Sequence, residues 1–225
     1  MGKKNKKRKI EENATFQNLI QDSEPWKANN SFHLKGQWNK IHFNNDFPIW
    51  LELGCGKGEY TLYHALKFPQ INHIGIDIKG ARIWRGAKTA TQQKMNHVAF
   101  LRSPIQHIER YFSENEVDQL WIIFPDPQPK FRQTKHRLTH KSFLEKYTEL
   151  LKTNNRVYLK TDSEFLFGYT LGQLENFPCK IHQVINDVHQ SQQSPACARN
   201  VITFYEQRFI NQNKPIKFIS FELLK

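Results

Sequence analysis

The sequence predicts an α/β fold, a mostly parallel sheet with helices on both faces, and three observations carry that prediction. From residue 49 onward, short apolar runs alternate with segments of helical period. The first run, Ile49-Trp50-Leu51-Glu52-Leu53, breaks at a glycine-rich turn. Two later runs end at acids, Asp77 and Asp162. Strands alternating with helices imply parallel strands joined by crossovers, and such sheets bind ligands beyond the carboxyl ends of their strands.

The elements follow in order. After the strand at 49–53, residues 58–68 read as a helix. Residues 73–78 form a second strand, and 80–95 a helix with Ile83, Trp84 and Ala87 on one side. Strands are expected at 98–101 and 120–124. The helix at 139–152 carries Phe143, Leu144, Tyr147, Leu150 and Leu151 on one face. A fifth strand at 157–160 precedes a helix at about 163–176. Beyond it, Val184 and Ile185, residues 201–205 and residues 218–221 read as strands. Residues 13–48 scatter Phe16, Trp26, Phe32, Trp38 and Phe43 among polar residues, which predicts irregular structure packed on the main domain. Residues 1–12 hold Lys3, Lys4, Lys6, Lys7, Arg8 and Lys9 and predict a disordered basic tail. The remainder, 13–225, is expected to be a single domain.

Composition narrows the function classes. Of 225 residues, 33 are Lys or Arg and 21 Asp or Glu, a net charge of +12. That field attracts polyanions, nucleic acid first. No apolar run approaches the roughly 18–20 residues of a membrane span. The basic start continues into Glu11-Glu12-Asn13 rather than an apolar stretch, so no export signal is read and the cytoplasm is expected. Cys55, Cys179 and Cys197 form no CxxC pair. Cys179 with His182 and His189 offers poor zinc spacing, and His136 with His140 lacks a partner, so no metal is expected.

The glycine turn, Leu53-Gly54-Cys55-Gly56-Lys57-Gly58, reads GxGxG rather than the GxGxxG of dinucleotide sites. Asp77 ends the second strand, where a carboxylate accepts hydrogen bonds from both hydroxyls of an adenosine ribose. NAD and S-adenosylmethionine share that ribose, but S-adenosylmethionine has no pyrophosphate and needs no longer turn. Its sulfonium and ammonium suit the acid Glu52. At the adenine edge, Arg102-Ser103-Pro104-Ile105 offers Ser103 or backbone amides.

The fourth strand runs into Phe124-Pro125-Asp126-Pro127-Gln128-Pro129-Lys130, where prolines fix the backbone around Asp126. Lys130, Arg132, Lys135, His136, Arg137, His140 and Lys141 then form a basic cluster, expected to grip RNA phosphates. Leu159-Lys160-Thr161-Asp162 brings an acid to the same end of the sheet, and Thr203-Phe204-Tyr205-Glu206 a hydroxyl and a carboxylate. Carboxylates can accept the N1–H and N2–H donors of guanine.

Together these motifs resemble the bacterial tRNA (guanine-N7)-methyltransferase family over roughly residues 48 to 220. Phe124 to Lys130 followed by Arg137-Leu138 is the most specific part. The resemblance implies a Rossmann-like class I methyltransferase fold of about seven strands, with S-adenosyl-L-methionine as cofactor. It implies tRNA as partner and guanine 46 of the variable loop as target. Carried over by motif, Glu52, Asp77 and Asp126 contact the cofactor; Gly54 and Gly56 of the turn and Ser103 and Pro104 at the adenine edge are added to them from the reading of the residues. Lys130, Asp162, Thr203, Phe204, Tyr205 and Glu206 contact the substrate, with Asp126 also the catalytic candidate. Two positions depart from the family pattern: Gln128 replaces a usual Trp, and the usual Asp near Pro104 is absent. Monomer and homodimer both fit. An amino-group methyltransferase would favour an aromatic at Gln128, and an NAD-linked oxidoreductase would show GxGxxG. A non-catalytic RNA-binding relic would bind without transferring a methyl group.

Overall fold

Eight strands join in one sheet: β1 (Leu19–Gln21), β2 (Ile49–Leu53), β3 (Asn72–Ile76), β4 (Val98–Arg102), β5 (Val117–Ile123), β6 (Leu151–Thr161), β7 (Cys179–Ile185) and β8 (Lys217–Leu223). The computed structural model describes residues 3–22 and 32–225; Trp26 and the side chains of Lys3 and Lys4 lie outside them. The strand order is β1-β4-β3-β2-β5-β6-β8-β7. β8 runs antiparallel to β6 and β7, and the other pairings are parallel.

The helices are α1 (Lys3–Glu12), α2 (Glu59–Lys67), α3 (Gly80–Gln92), α4 (Lys141–Leu150), α5 (Glu164–Glu175), α6 (Ala196–Arg199) and α7 (Phe204–Ile210). Successive strand residues face opposite sides, and β4 shows how both sides are used. Ala99 and Leu101 join Leu51, Ile74, Leu144 and Leu166 in one buried cluster, which places α4 and α5 on that face. Val98 and Phe100 join Ala65, Ile83 and Ala87 in another, which places α2 and α3 on the opposite face. Phe100 also explains two glycines. A Cβ at Gly58 would lie 2.7 Å from its ring, and one at Gly86 would lie 2.5 Å from it. Gly58 has φ +74°, a conformation that side chains resist, so bulk is excluded there twice over.

Three expectations are corrected. Residues 3–12 of the tail are helical: α1 docks on α3 through Glu12, which accepts from Trp84 Nε1 at 2.9 Å and from Lys88 Nζ at 2.8 Å. Lys9 Nζ lies 4.3 Å over the Trp84 ring. Residues 13–48 contribute an eighth strand, β1, which pairs in parallel with β4 and extends the sheet beyond seven. Residues 201–205 are not a strand. Thr203 caps α7 by accepting the Glu206 N–H at 3.1 Å, and Phe204 and Tyr205 begin that helix. No described helix is long and apolar enough to cross a membrane, and no metal-binding group occurs among the described residues.

Candidate active site

From β2, the sheet order runs through β3 and β4 on one side and through β5 and β6 on the other. The two crossovers diverge between β2 and β5, which leaves a crevice beyond the strands' carboxyl ends. Two cavities open there, of about 660 Å³ and about 340 Å³, within the range of small-molecule sites. They share Gly54, Arg82, Phe124, Pro125 and Asp126.

The turn after β2 is tied to β3. The Gly54 and Cys55 N–H groups donate to Ile76 O at 2.8 and 2.9 Å. Gly56 (φ +57°) turns its N–H to Asp77 Oδ2 at 3.0 Å, and Lys79 N–H reaches Asp77 Oδ1 at 2.7 Å. Asp77 is thus fixed, with lone pairs remaining toward the smaller cavity, which Ser103 and Pro104 also line. Ser103 is buried and its hydroxyl donates to Pro104 O at 3.3 Å. A 3-10 helix starts at Ile105, and its opening amides have no acceptor within the helix.

Glu52 lines the larger cavity beside Gly54 and Gly56. Its Oε2 accepts from Thr61 N–H at 2.8 Å and from the Thr61 hydroxyl. Burial pushes its carboxyl up to about 8 against the lowering effect of the Thr61 hydrogen bonds, with Glu59 and Asp77 adding to the rise. A buried acid in that condition favours the arrival of a cation.

The turn after β5 is held under tension. Phe124 has φ +47° and Gln128 φ +48°, each outside the comfortable range of a bulky residue. Phe124 N–H donates to Lys160 O at 2.8 Å. Arg137 Nε–H donates to Gln128 O at 3.1 Å, while its guanidinium lies 4.7 Å over Phe165 and 4.3 Å over Tyr169. These contacts hold the proline-bracketed Asp126 on the wall shared by both cavities. Arg137 is buried, so it braces the turn rather than gripping phosphate. His140 likewise caps α4, its Nδ1 accepting from Ser142 N–H at 3.1 Å. Lys130, Arg132, Lys135, His136 and Lys141 remain exposed.

Asp162, Thr203 and Tyr205 line the larger cavity. Lys130 and Phe204 stand outside both walls; Phe204 is exposed, with Lys57 Nζ 4.5 Å over its ring. Glu206 has no accessible surface and is therefore not brought to the cavity. It pairs with Lys160 Nζ at 2.7 Å and with His189 Nε2 at 2.8 Å. Lys160 also donates to Tyr60 OH at 3.0 Å, to Ala198 O at 2.6 Å and to Val201 O at 3.0 Å. Burial lowers the Lys160 ammonium from its ordinary range while Glu206 opposes that shift. The pair anchors the segment that presents Thr203 and Tyr205.

Sequence reasoning missed Arg82 and Lys217, which also line the cavities. Arg82 carried a signal: it sits in the first turn of α3, where the helix dipole disfavours a cation. Lys217 carried none; its place follows from antiparallel pairing of β8 with β6 and an ion pair to Glu164.

Residues 46–219 match a family model described as a putative methyltransferase. A tRNA (guanine-N(7)-)-methyltransferase of Christiangramia forsetii is 50% identical over 99% of this chain and 100% of its own length. Another, from Porphyromonas gingivalis, is 45% identical over 85% of this chain and 78% of its own length. Among solved structures, an antibiotic-related methyltransferase aligns with a TM-score of 0.64 at 15% identity, over 87% of this chain and 97% of that one. The structural likeness bears on the fold alone, whereas the Christiangramia relative aligns over nearly the full length of both chains. On a class I methyltransferase sheet with one added edge strand, the chain belongs to the tRNA (guanine-N7)-methyltransferase family.

Proposed function

We infer that the protein methylates N7 of a guanine in tRNA, with S-adenosylmethionine as the methyl donor and guanine 46 of the variable loop as the target. The observation that carries this reading is the position of Asp126, on the wall common to two cavities of different chemistry. On the smaller side, Asp77 suits a ribose and the edge around Ser103 and Pro104 suits adenine. On the larger side, Glu52, Gly54 and Gly56 suit the methionine end, and Asp162, Thr203 and Tyr205 suit a guanine. Glu52, a buried acid that receives only neutral donors from Thr61, fits a cationic ligand.

Bound S-adenosylmethionine supplies an electrophilic methyl group. Guanine N7 carries a free lone pair, so no residue has to remove a proton. The protein's own contribution is alignment and charge. Asp162 fixes the guanine by accepting from its Watson–Crick edge, and the Thr203–Tyr205 segment closes beside it. Asp126 faces the positive charge that moves onto the purine. Glu206 acts as a positioning residue through Lys160. The exposed Lys130, Arg132 and Lys135 hold phosphates.

Transfer of labelled methyl groups to tRNA tests this reading. Substituting the target guanine by 7-deazaguanine, which lacks N7, is expected to abolish incorporation. Incorporation that persists in the substituted tRNA contradicts the assignment of N7.

Glu52 gives a second expected result. Below about 8 its carboxyl is mostly protonated in the ligand-free protein, and a bound cation favours the ionised form. Cofactor affinity should therefore rise with pH from about 6 toward 8, by up to about tenfold per unit. The sign for stability is opposite. The raised carboxyl favours folding most below its ordinary value of 4.5, and that contribution is lost as pH rises through about 8. Calorimetric titration of the cofactor should show both the slope and proton release on binding. Glu52→Gln should flatten the slope; an unchanged slope in that variant assigns the titration elsewhere.

A further inference from the structure

Phe131 is 93% exposed, more than any other large apolar side chain among the described residues. A ring left in water adds nothing to the core, so packing does not account for it. Nor is it on a loose loop. It opens the 3-10 turn Phe131–His136, whose backbone is braced throughout. Gln133 N–H donates to Lys130 O at 2.9 Å, the Thr134 hydroxyl to Phe131 O at 2.7 Å and Arg137 N–H to Thr134 O at 3.2 Å.

The turn follows one cavity-lining residue and ends at another. Gln128 and His136 line the smaller cavity, and Phe131 follows Gln128 by three residues, within about 11 Å along the chain. The surroundings are cationic: Lys130, Arg132 and Lys135 are exposed, and no acid occurs between Asp126 and Glu145. A single ring among cations is not an apolar protein-docking patch. It matches a single-stranded nucleic-acid platform, in which an aromatic face takes a base and neighbouring cations take its phosphates.

We propose that Phe131 stacks on an unpaired nucleobase beside the methylated guanine, and so forms a substrate subsite outside the cavity. The proposal rests on the tRNA reading above. It adds a contact to a base that does not react, one that a substrate reduced to free guanosine cannot make.

The test compares Phe131→Ala and Phe131→Trp in the full chain, using tRNA and S-adenosylmethionine. Loss of one stacked base predicts a fall of about 5- to 150-fold in kcat/KM for tRNA with Phe131→Ala. Phe131→Trp should retain activity, and both variants should keep the wild-type melting temperature and cofactor affinity. Substrates with an abasic site at each nucleotide flanking the target, one at a time, then locate the contact. At the stacked position the wild type should fall to the level of Phe131→Ala, and the substitution should cost nothing further. An Ala variant within twofold of wild type overturns the proposal, as does an Ala penalty that persists with every abasic substrate. In either case a wild type active on tRNA leaves the functional reading intact. A wild type that transfers no methyl group to tRNA overturns both.

Discussion

Replacing Lys160 by Met is expected to destabilise the protein by about 3–5 kcal/mol, because it leaves Glu206 buried without its cation. The Lys160 and Glu206 side chains have no accessible surface, and the ammonium also serves Tyr60 OH and the carbonyls of Ala198 and Val201. The penalty comes from isolating a charge rather than from losing a strong bond. A buried pair exchanged as a whole for apolar residues of similar volume is often nearly neutral. Lys160→Met/Glu206→Leu should therefore recover much of the loss, although His189 loses its acceptor. Urea midpoints of the two single variants and the double variant measure this. A single-variant cost below about 1 kcal/mol would mean that water reaches the pair. Activity adds a second readout. Residual folded Lys160→Met should show a raised KM for tRNA with nearly unchanged cofactor affinity, because the tethered segment carries Thr203 and Tyr205.

Asp126→Asn is expected to lower kcat by about 10²- to 10³-fold while leaving the cofactor dissociation constant within about threefold. Asn preserves the shape between Pro125 and Pro127 and removes only the charge. The size of the effect depends on water. Two unit charges 4 Å apart interact by about 1 kcal/mol in bulk water and about 4 kcal/mol at an effective dielectric constant of 20. Asp126 is exposed in the free protein, so the larger value requires that docked tRNA exclude solvent from the shared wall. A kcat drop below about tenfold would place Asp126 in a wet site and remove it from the catalytic role. Single-turnover rates with saturating tRNA separate this effect on the chemical step from a loss of binding.

The central strands were legible because buried parallel strands read as largely apolar runs: β4 opens with four apolar residues, β2 is broken only by Glu52, and β3 keeps Ile74 and Ile76. The acids that line the cavities were legible for a related reason: a parallel sheet brings every strand's carboxyl end to one edge, so Asp77, Asp126 and Asp162 all reach the cavity walls. Short or polar elements were not legible. β1 has only three residues and is defined by pairing with β4. Helix α1 lacks an apolar stripe, and its register rests on Glu12 meeting Trp84 and Lys88, some 70 positions away. Thr203-Phe204-Tyr205 has the composition of a strand, but Thr203 acts as a helix cap and overrides it. Glu206 looked like a substrate-facing acid because nothing local reveals Lys160 across 46 residues. Arg137 looked like a phosphate contact for the same reason; its partners Phe165 and Tyr169 lie on another helix.

The most direct test of the central claim is nucleoside mass spectrometry of unmodified tRNA incubated with the protein and S-adenosylmethionine. The account predicts 7-methylguanosine as the methylated product, its formation strongly reduced by Asp126→Asn. A different methylated nucleoside, or tRNA that is bound and left unmethylated, would contradict it.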